Sequence, residues 1–156
     1  MKATTPLKKS INFDFYKVPE ITESLNIKFV SVPINAGFPS PADDYIEDSI
    51  DLPKMLIKNP SSTYILRVNG QSMVDAGIFD KSVIVVDASL EPLNGDIAVC
   101  IIDGDFTLKR ISKVKDKLYL LPENKDYKPL EVKEGSNFEV WGILTWVLNS
   151  PNKKRK

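Results

Sequence analysis

The chain has 156 residues, and its 21 basic and 21 acidic side chains give a formal net charge of zero. That length suits one compact domain with tails, and the balanced charge provides no overall field for binding nucleic acid or an anionic membrane. The sequence has no histidine and one cysteine, Cys100, which excludes an internal disulfide and the usual zinc ligand sets. We therefore expect no metal and no cofactor.

Residues 1–48 differ from the rest of the chain because prolines interrupt them and no helical or strand periodicity is sustained. The interrupting prolines are Pro6, Pro19, Pro33, Pro39 and Pro41. This composition predicts an extended N-terminal arm. No apolar stretch reaches the length of a signal peptide or a membrane span, so we expect a cytoplasmic protein without membrane contact.

Residues 49–148 predict a mostly β domain with one short helix. Asp51 can cap a helix from Leu52 to Ile57, with Pro53 in its first turn and Asn59-Pro60 as its stop. Later segments rich in β-branched and aromatic residues predict strands. These segments are residues 64–68, 83–87, 96–102, 105–111, 118–121 and 138–148.

Asp103-Gly104 predicts a type I′ hairpin turn, because both residues tolerate positive φ, and this turn places Lys109 on the second strand of the hairpin. Trp141 and Trp146 lie an odd number of positions apart in the last strand, so they point to opposite faces. Either one lies in the core and the other on the surface, or one anchors a dimer interface. Residues 149–156 form a short basic tail that we expect to be solvated.

A serine and a lysine are the candidate catalytic pair. Ser72 lies in the motif Gly70-Gln71-Ser72-Met73 just after a predicted strand, where glycine allows a sharp turn that exposes the serine. A serine hydroxyl needs a base, and with no histidine in the chain a lysine amine is the available candidate. Lys109, in the motif Phe106-Thr107-Leu108-Lys109, has apolar neighbours whose burial would lower its pKa and favour the neutral amine. We predict Ser72 as nucleophile, Lys109 as general base, and the backbone N–H groups of Gln71 and Ser72 as oxyanion hole.

Each of these residues also has an ordinary structural interpretation. A serine after glycine is usually only a turn residue, and most strand lysines extend to water at a sheet edge. On the predicted strand, Thr107, Lys109 and Ile111 share one face, so that face is not cleanly polar. This mixed pattern favours a partly buried strand.

Residues 35–45 read Asn-Ala-Gly-Phe-Pro-Ser-Pro-Ala-Asp-Asp-Tyr, and together with the serine and lysine motifs they resemble the LexA-like self-cleaving (S24-type) peptidases, most closely the UmuD-like branch. The similarity covers roughly residues 28 to 148. It implies a LexA-like peptidase β domain, dimeric, with Ser72 as nucleophile and Lys109 as base. The family's scissile bond maps onto Ala36-Gly37, which divides the chain into a removed arm (1–36), a linker (37–48) and a peptidase and dimerisation domain (49–148).

The resemblance also implies partners. In UmuD-like proteins a RecA filament on single-stranded DNA stimulates cleavage, and the shortened homodimer joins a UmuC-type chain as accessory subunit of an error-prone translesion polymerase in the SOS response. This chain departs from UmuD in a longer segment before the cut and in Ala36, where UmuD has cysteine. The segment before Gly37 is too short for a helix-turn-helix with a linker, so we expect no sequence-specific DNA binding.

Two other functions stay open at the level of sequence. The chain could be a non-cleaving dimeric module that regulates a polymerase, with Ser72 and Lys109 vestigial. It could also be a signal-peptidase-like enzyme that acts on other proteins through Ser/Lys chemistry, against which the missing membrane anchor argues.

Overall fold

The computed structural model of the chain describes residues 8–9, 13–18, 26–30 and 47–151. Its strands are β1 (Lys8–Lys9), β2 (Phe13–Lys17), β3 (Asn26–Val30), β4 (Glu47–Asp51), β5 (Thr63–Val68), β6 (Val83–Asp87), β7 (Ile97–Ile102), β8 (Asp105–Val114), β9 (Lys117–Leu121), β10 (Leu130–Val132) and β11 (Phe138–Leu148). Nine of them form one antiparallel sheet in the order β1-β2-β5-β6-β11-β7-β8-β9-β10, while β3 and β4 form a separate antiparallel pair. The predicted mostly β fold is confirmed.

Helix α1 (Leu52–Leu56) begins where the sequence predicts. The Asp51 carboxylate accepts a hydrogen bond from the Lys54 N–H at 3.3 Å, which satisfies one of the free amide groups of the first turn. Pro53 lies in that turn, where its missing N–H costs nothing. A 3₁₀ turn over Val74–Ala76 follows the loop after β5. Among the described residues, no helix is long and apolar enough to cross a membrane.

The core consists of two clusters that lie on opposite faces of strand β7. Val99 belongs to the larger cluster, which includes Phe13 and Leu66, whereas the neighbouring Ala98 and Cys100 belong to the smaller one. Successive strand residues point to opposite faces, so this alternation places one cluster on each side of the strand. The central strands are therefore buried from both sides, and their near-continuous apolar sequences follow from that burial.

All the strands predicted after the helix are present, and β8 extends beyond its predicted end to Val114. The Asp103-Gly104 turn has φ values of 49° and 91°, as a type I′ hairpin requires. Trp141 packs against Tyr64 and Phe106 beside the larger core cluster, whereas Trp146 is 40% exposed. One tryptophan therefore packs beside the core and the other is exposed, and both interpretations of Trp146, as a surface residue or as a dimer anchor, stay open.

The short strand β10 was not predicted, because its three residues lie between Pro129 and the turn at Gly135 and resemble loop sequence. Pairing with β9 holds it in place, with Glu131 opposite Tyr119. Such a strand depends on its neighbour rather than on its own propensity, which is why local sequence did not indicate it.

In the part that the structure describes, the predicted extended N-terminal arm contains strands that the sequence pattern did not indicate. Strands β1, β2 and β3 lie within residues 1–36, and β4 begins at Glu47 inside the predicted linker. The side chain of Phe13 in β2 is 1% exposed and belongs to the larger core cluster. Pairing with distant strands stabilises these short segments, and such pairing leaves little periodic signal in a five-residue sequence.

Two predicted features lie outside the described residues. These are the cleavage site Ala36-Gly37 and the charged end of the tail, residues 152–156. The division of the chain at residue 36 therefore stays a prediction.

Candidate active site

Ser72 lies in a loop between β5 and the 3₁₀ turn. The loop begins at Gly70, whose φ of 119° is strained for any residue with a side chain. The Gly70 N–H donates to the Asp80 carboxylate at 2.9 Å, which fixes the start of the turn. Met73, directly after the serine, is 2% exposed and anchors the loop in the larger core cluster. The serine is thus held on a turn whose two ends are both fixed.

A second loop, at residues 123–124, holds the serine loop from the other side. The Glu123 N–H donates to the Ser72 carbonyl at 2.9 Å, and the Glu123 carbonyl accepts from the Asp75 N–H at 2.8 Å. The Asn124 side-chain amide donates to the Gln71 carbonyl at 2.8 Å. Three hydrogen bonds therefore set the orientation of the backbone around Ser72.

Lys109 lies on β8, in register with Ala98 of β7. Its strand neighbour Leu108 points into the larger core cluster, and Ile111, which shares the face of Lys109, belongs to the smaller one. Burial among these strands lowers the pKa of Lys109, and a thiolate at Cys100 would act in the opposite direction. Burial also raises the pKa of Cys100 to about 11, so near neutral pH that thiol carries no charge to stabilise the ammonium.

The structure brings the two predicted catalytic side chains together. The Lys109 Nζ lies 3.1 Å from the Ser72 Oγ, although the two residues are 37 positions apart. The same Nζ also donates to the Thr107 Oγ1 at 3.0 Å and to the Leu108 carbonyl at 2.9 Å. A neutral amine has two N–H donors and one lone pair, so two of these contacts can hold the amine while the lone pair faces the serine hydroxyl.

Thr107 is a site residue whose role the sequence reasoning missed. It lies two positions before Lys109 on the same strand face, which is the spacing that lets its hydroxyl reach the amine. The motif contained it, but a threonine on a strand is common for β propensity alone, so its position did not indicate a role. The contact allows Thr107 to orient the lysine amine.

The predicted oxyanion donors are available in this geometry. Within the part of the chain that the structure describes, the N–H groups of Gln71 and Ser72 donate to no acceptor. A pocket of about 170 Å³ adjoins them, and its walls include Phe13 of β2 and Tyr127, which is 45% exposed. Two free amide groups beside a serine in a pocket suit an incoming carbonyl, and their role as oxyanion hole stays a prediction.

Residues 28–145 match the family described as Peptidase S24-like. Protein MucA of Salmonella typhimurium is 40% identical over 121 residues, which cover 77% of this chain and 82% of MucA. Protein ImpA of Salmonella typhimurium is 36% identical over 121 residues, covering 77% of this chain and 81% of ImpA. The LexA repressor of Stenotrophomonas maltophilia is 38% identical over 120 residues, which cover 77% of this chain and 56% of the repressor.

The mostly β fold and the extent of these matches define the class as that of S24-type serine peptidases. The chain belongs to the Peptidase S24-like family, with UmuD-like relatives such as MucA and ImpA. The resemblance to the LexA-like peptidases that the motifs indicated is therefore confirmed at the level of the family.

Proposed function

We propose that the chain is a self-cleaving serine endopeptidase of the UmuD type, which cuts its own Ala36-Gly37 bond with a Ser72/Lys109 dyad. The observation that carries this proposal is the 3.1 Å contact between the Lys109 Nζ and the Ser72 Oγ at a partly buried lysine. A partly buried amine with a lowered pKa can act as the base for a serine nucleophile when no histidine is present.

The chemistry proceeds in two steps. Neutral Lys109 accepts the Ser72 hydroxyl proton while the Oγ attacks the Ala36 carbonyl carbon, and the amide groups of Gln71 and Ser72 hold the oxyanion. The Ala36-Gly37 bond then breaks as the lysine proton passes to the amine of Gly37. Water, deprotonated by the same lysine, hydrolyses the acyl-enzyme and frees the Ala36 carboxylate. The small side chains at Ala36 and Gly37 suit a backbone that must enter a narrow site.

The proposal extends to the setting of the reaction. From the resemblance to UmuD-like proteins we infer that a RecA filament on single-stranded DNA stimulates the cleavage in the cytoplasm. The shortened chain then acts as a homodimer, as accessory subunit of an error-prone translesion polymerase with a UmuC-type catalytic chain in the SOS response. No sequence-specific DNA binding by this chain is part of the proposal.

The pH dependence of self-cleavage tests the dyad without any partner. Purified protein incubated between neutral and strongly alkaline pH should give two fragments, residues 1–36 and 37–156, by intact mass. The rate should rise about tenfold per pH unit below the lowered pKa of Lys109 and then level off as the amine becomes fully neutral. A rate that peaks near pH 7 would require a different base. No fragments at any pH, with or without RecA filament, would favour the non-cleaving regulatory module.

A further inference from the structure

The strands before the proposed cut are paired with strands after it. Strand β2 pairs with β5, and β3 pairs with β4. In the sequence, Ala36-Gly37 falls between β3 and β4, so cleavage there would leave β2 and β3 in one fragment and their partner strands in the other.

The pairing of β2 with β5 spans the whole of β2. Phe13 lies opposite Val68 and Lys17 lies opposite Tyr64, with antiparallel register at every position between them. The pairing of β3 with β4 is equally complete, from Asn26 opposite Asp51 to Val30 opposite Glu47. Strand ladders of this kind depend on hydrogen bonds between backbones, and these bonds do not require the two strands to be covalently connected.

Side chains of the segment 13–18 also form part of the core. Phe13 is 1% exposed and Val18 is 6% exposed, and Phe13 shares its cluster with Leu66, Val68 and Met73. Loss of β2 would leave a cavity where the Phe13 ring lies, directly beside the pocket of Ser72. It would also expose the unpaired N–H and C=O groups along one edge of β5.

From this arrangement we infer that scission does not by itself release the arm. The edge of β5, with the cavity that receives Phe13, is a binding surface for an extended strand, and its occupant after the cut is the chain's own fragment 1–36. The inference rests on the proposed self-cleavage. After the cut, the β5 edge becomes exposed only when strand β2 dissociates, and not when the peptide bond breaks. The fragment then stays in place until dilution or a competing strand removes it.

The experiment separates strand retention from self-cleavage chemistry. A full-length Ser72→Ala chain receives the recognition sequence of a site-specific protease between Ala36 and Gly37, and that protease makes the cut. After digestion at micromolar concentration, native mass spectrometry and size-exclusion chromatography should find both pieces in one complex, and denaturant should separate them. Elution of fragment 1–36 on its own under native conditions would overturn the inference, whatever the outcome of the self-cleavage assay.

Variants of β2 test whether the β5 surface holds the fragment. In the same background, Phe13→Ala should raise the dissociation constant of the cut fragment by about a hundredfold or more. Lys17→Ala, an exposed position on the same strand, should change it by less than about threefold. Phe13→Leu keeps an apolar side chain and should fall between the two, which gives a readout if Phe13→Ala does not fold. Equal retention in Phe13→Leu and Lys17→Ala would show that the Phe13 side chain does not hold the fragment, and the cavity beside β5 would be rejected as part of the binding surface.

Discussion

Lys109, which is partly buried, and Asp87, which is buried, are two ionisable side chains of the same sheet with opposite surroundings. Burial lowers the pKa of Lys109, and the described residues provide it with no carboxylate partner. Burial alone would raise the pKa of Asp87, but hydrogen bonds from Asn59, Ser89 and Ser62 outweigh it and lower the pKa. The amine is therefore driven towards its neutral form, whereas the carboxylate is held charged.

The difference shows that burial alone does not decide whether an ionisable group is charged. Asp87 accepts hydrogen bonds from the Asn59 amide at 2.7 Å, the Ser62 hydroxyl at 2.8 Å, and the Ser89 hydroxyl and N–H at 2.7 and 2.9 Å. All these donors match a carboxylate, so its charge is stabilised and it joins two loops to the end of β6. The contacts of Lys109 are two hydroxyls and one carbonyl. These neutral groups orient the amine but do not offset the cost of burying its positive charge.

The largest expected effect concerns Lys109 and its proposed partner Ser72, and it is an effect on the rate of self-cleavage. Ser72→Ala and Lys109→Ala should each lower the rate of self-cleavage at least about a thousandfold, because the two groups act as one unit. Lys109→Arg should be equally inactive, since a guanidinium stays protonated. The measurement is the intact mass after alkaline incubation. Lys113→Ala, exposed on the same strand, is the matched control and should cleave as wild type does.

Cleavage by any of the three dyad variants at the wild-type rate would exclude the dyad. Circular dichroism should show that each variant keeps its fold, so that loss of cleavage reports chemistry. A chelator should have no effect on the wild-type rate.

The second effect is on stability and concerns Asp87. Asp87→Ala removes the acceptor of four hydrogen bonds and should lower the free energy of unfolding by about 2–3 kcal/mol, measured by urea denaturation. Glu139→Ala, at an exposed position on β11, should change it by less than about 0.5 kcal/mol. At temperatures where it stays folded, the Asp87→Ala variant should cleave itself at the wild-type rate. A large loss of cleavage with stability unchanged would reverse the roles assigned to the two groups.

Thr107 should give a smaller effect on the rate. Thr107→Val removes the hydroxyl that lies 3.0 Å from the Lys109 Nζ and should slow cleavage about tenfold, because the amine loses one of the contacts that orient it. Thr107→Ser retains the hydroxyl and should recover most of the rate. Urea denaturation should find both variants near wild-type stability. Cleavage by Thr107→Val at the wild-type rate would show that the Thr107 hydroxyl does not orient the amine.

The smallest effect concerns the pH dependence of stability. The folded pKa of Lys109 lies below the ordinary 10.5, so the unfolded state binds more protons between these two values, and stability should rise with pH across that window. Lys109→Met, which has no charge to bury, should be more stable than wild type at pH 7 by about 1 kcal/mol. This advantage should disappear as pH rises through the window.

The pH dependence due to Lys109 is best measured by comparing wild type and Lys109→Met in the same background. The raised pKa of Cys100 acts in the opposite direction above its ordinary value of 9.0, so both proteins should carry Cys100→Ala. Asp87 also has a lowered pKa, but its contribution to stability is lost only in acid, below pH 3.8. That range does not overlap the alkaline window of Lys109. A Lys109→Met advantage that is independent of pH would mean that packing, not charge, causes it.

Local sequence was sufficient for elements whose own residues determine their geometry. Asp51 and Pro53 define the start of α1, and Asp103-Gly104 defines a turn because few other pairs adopt positive φ twice in succession. The candidate dyad also followed from residue chemistry, since a chain without histidine leaves lysine as the base for a serine. These conclusions depend on backbone conformation and functional groups, which each residue carries wherever the chain places it.

Tertiary structure decided the features that depend on distant partners. The docking of β2 on β5, the hydrogen bonds from Glu123 and Asn124 to the serine loop, and the 3.1 Å approach of Lys109 to Ser72 all join segments far apart in the chain. Sequence by itself determined which groups were available and which stretches after α1, apart from β10, form strands. Only the packing of the sheet determined which of them meet, because the free energy of such contacts comes from burial and hydrogen bonds that exist after the strands have paired.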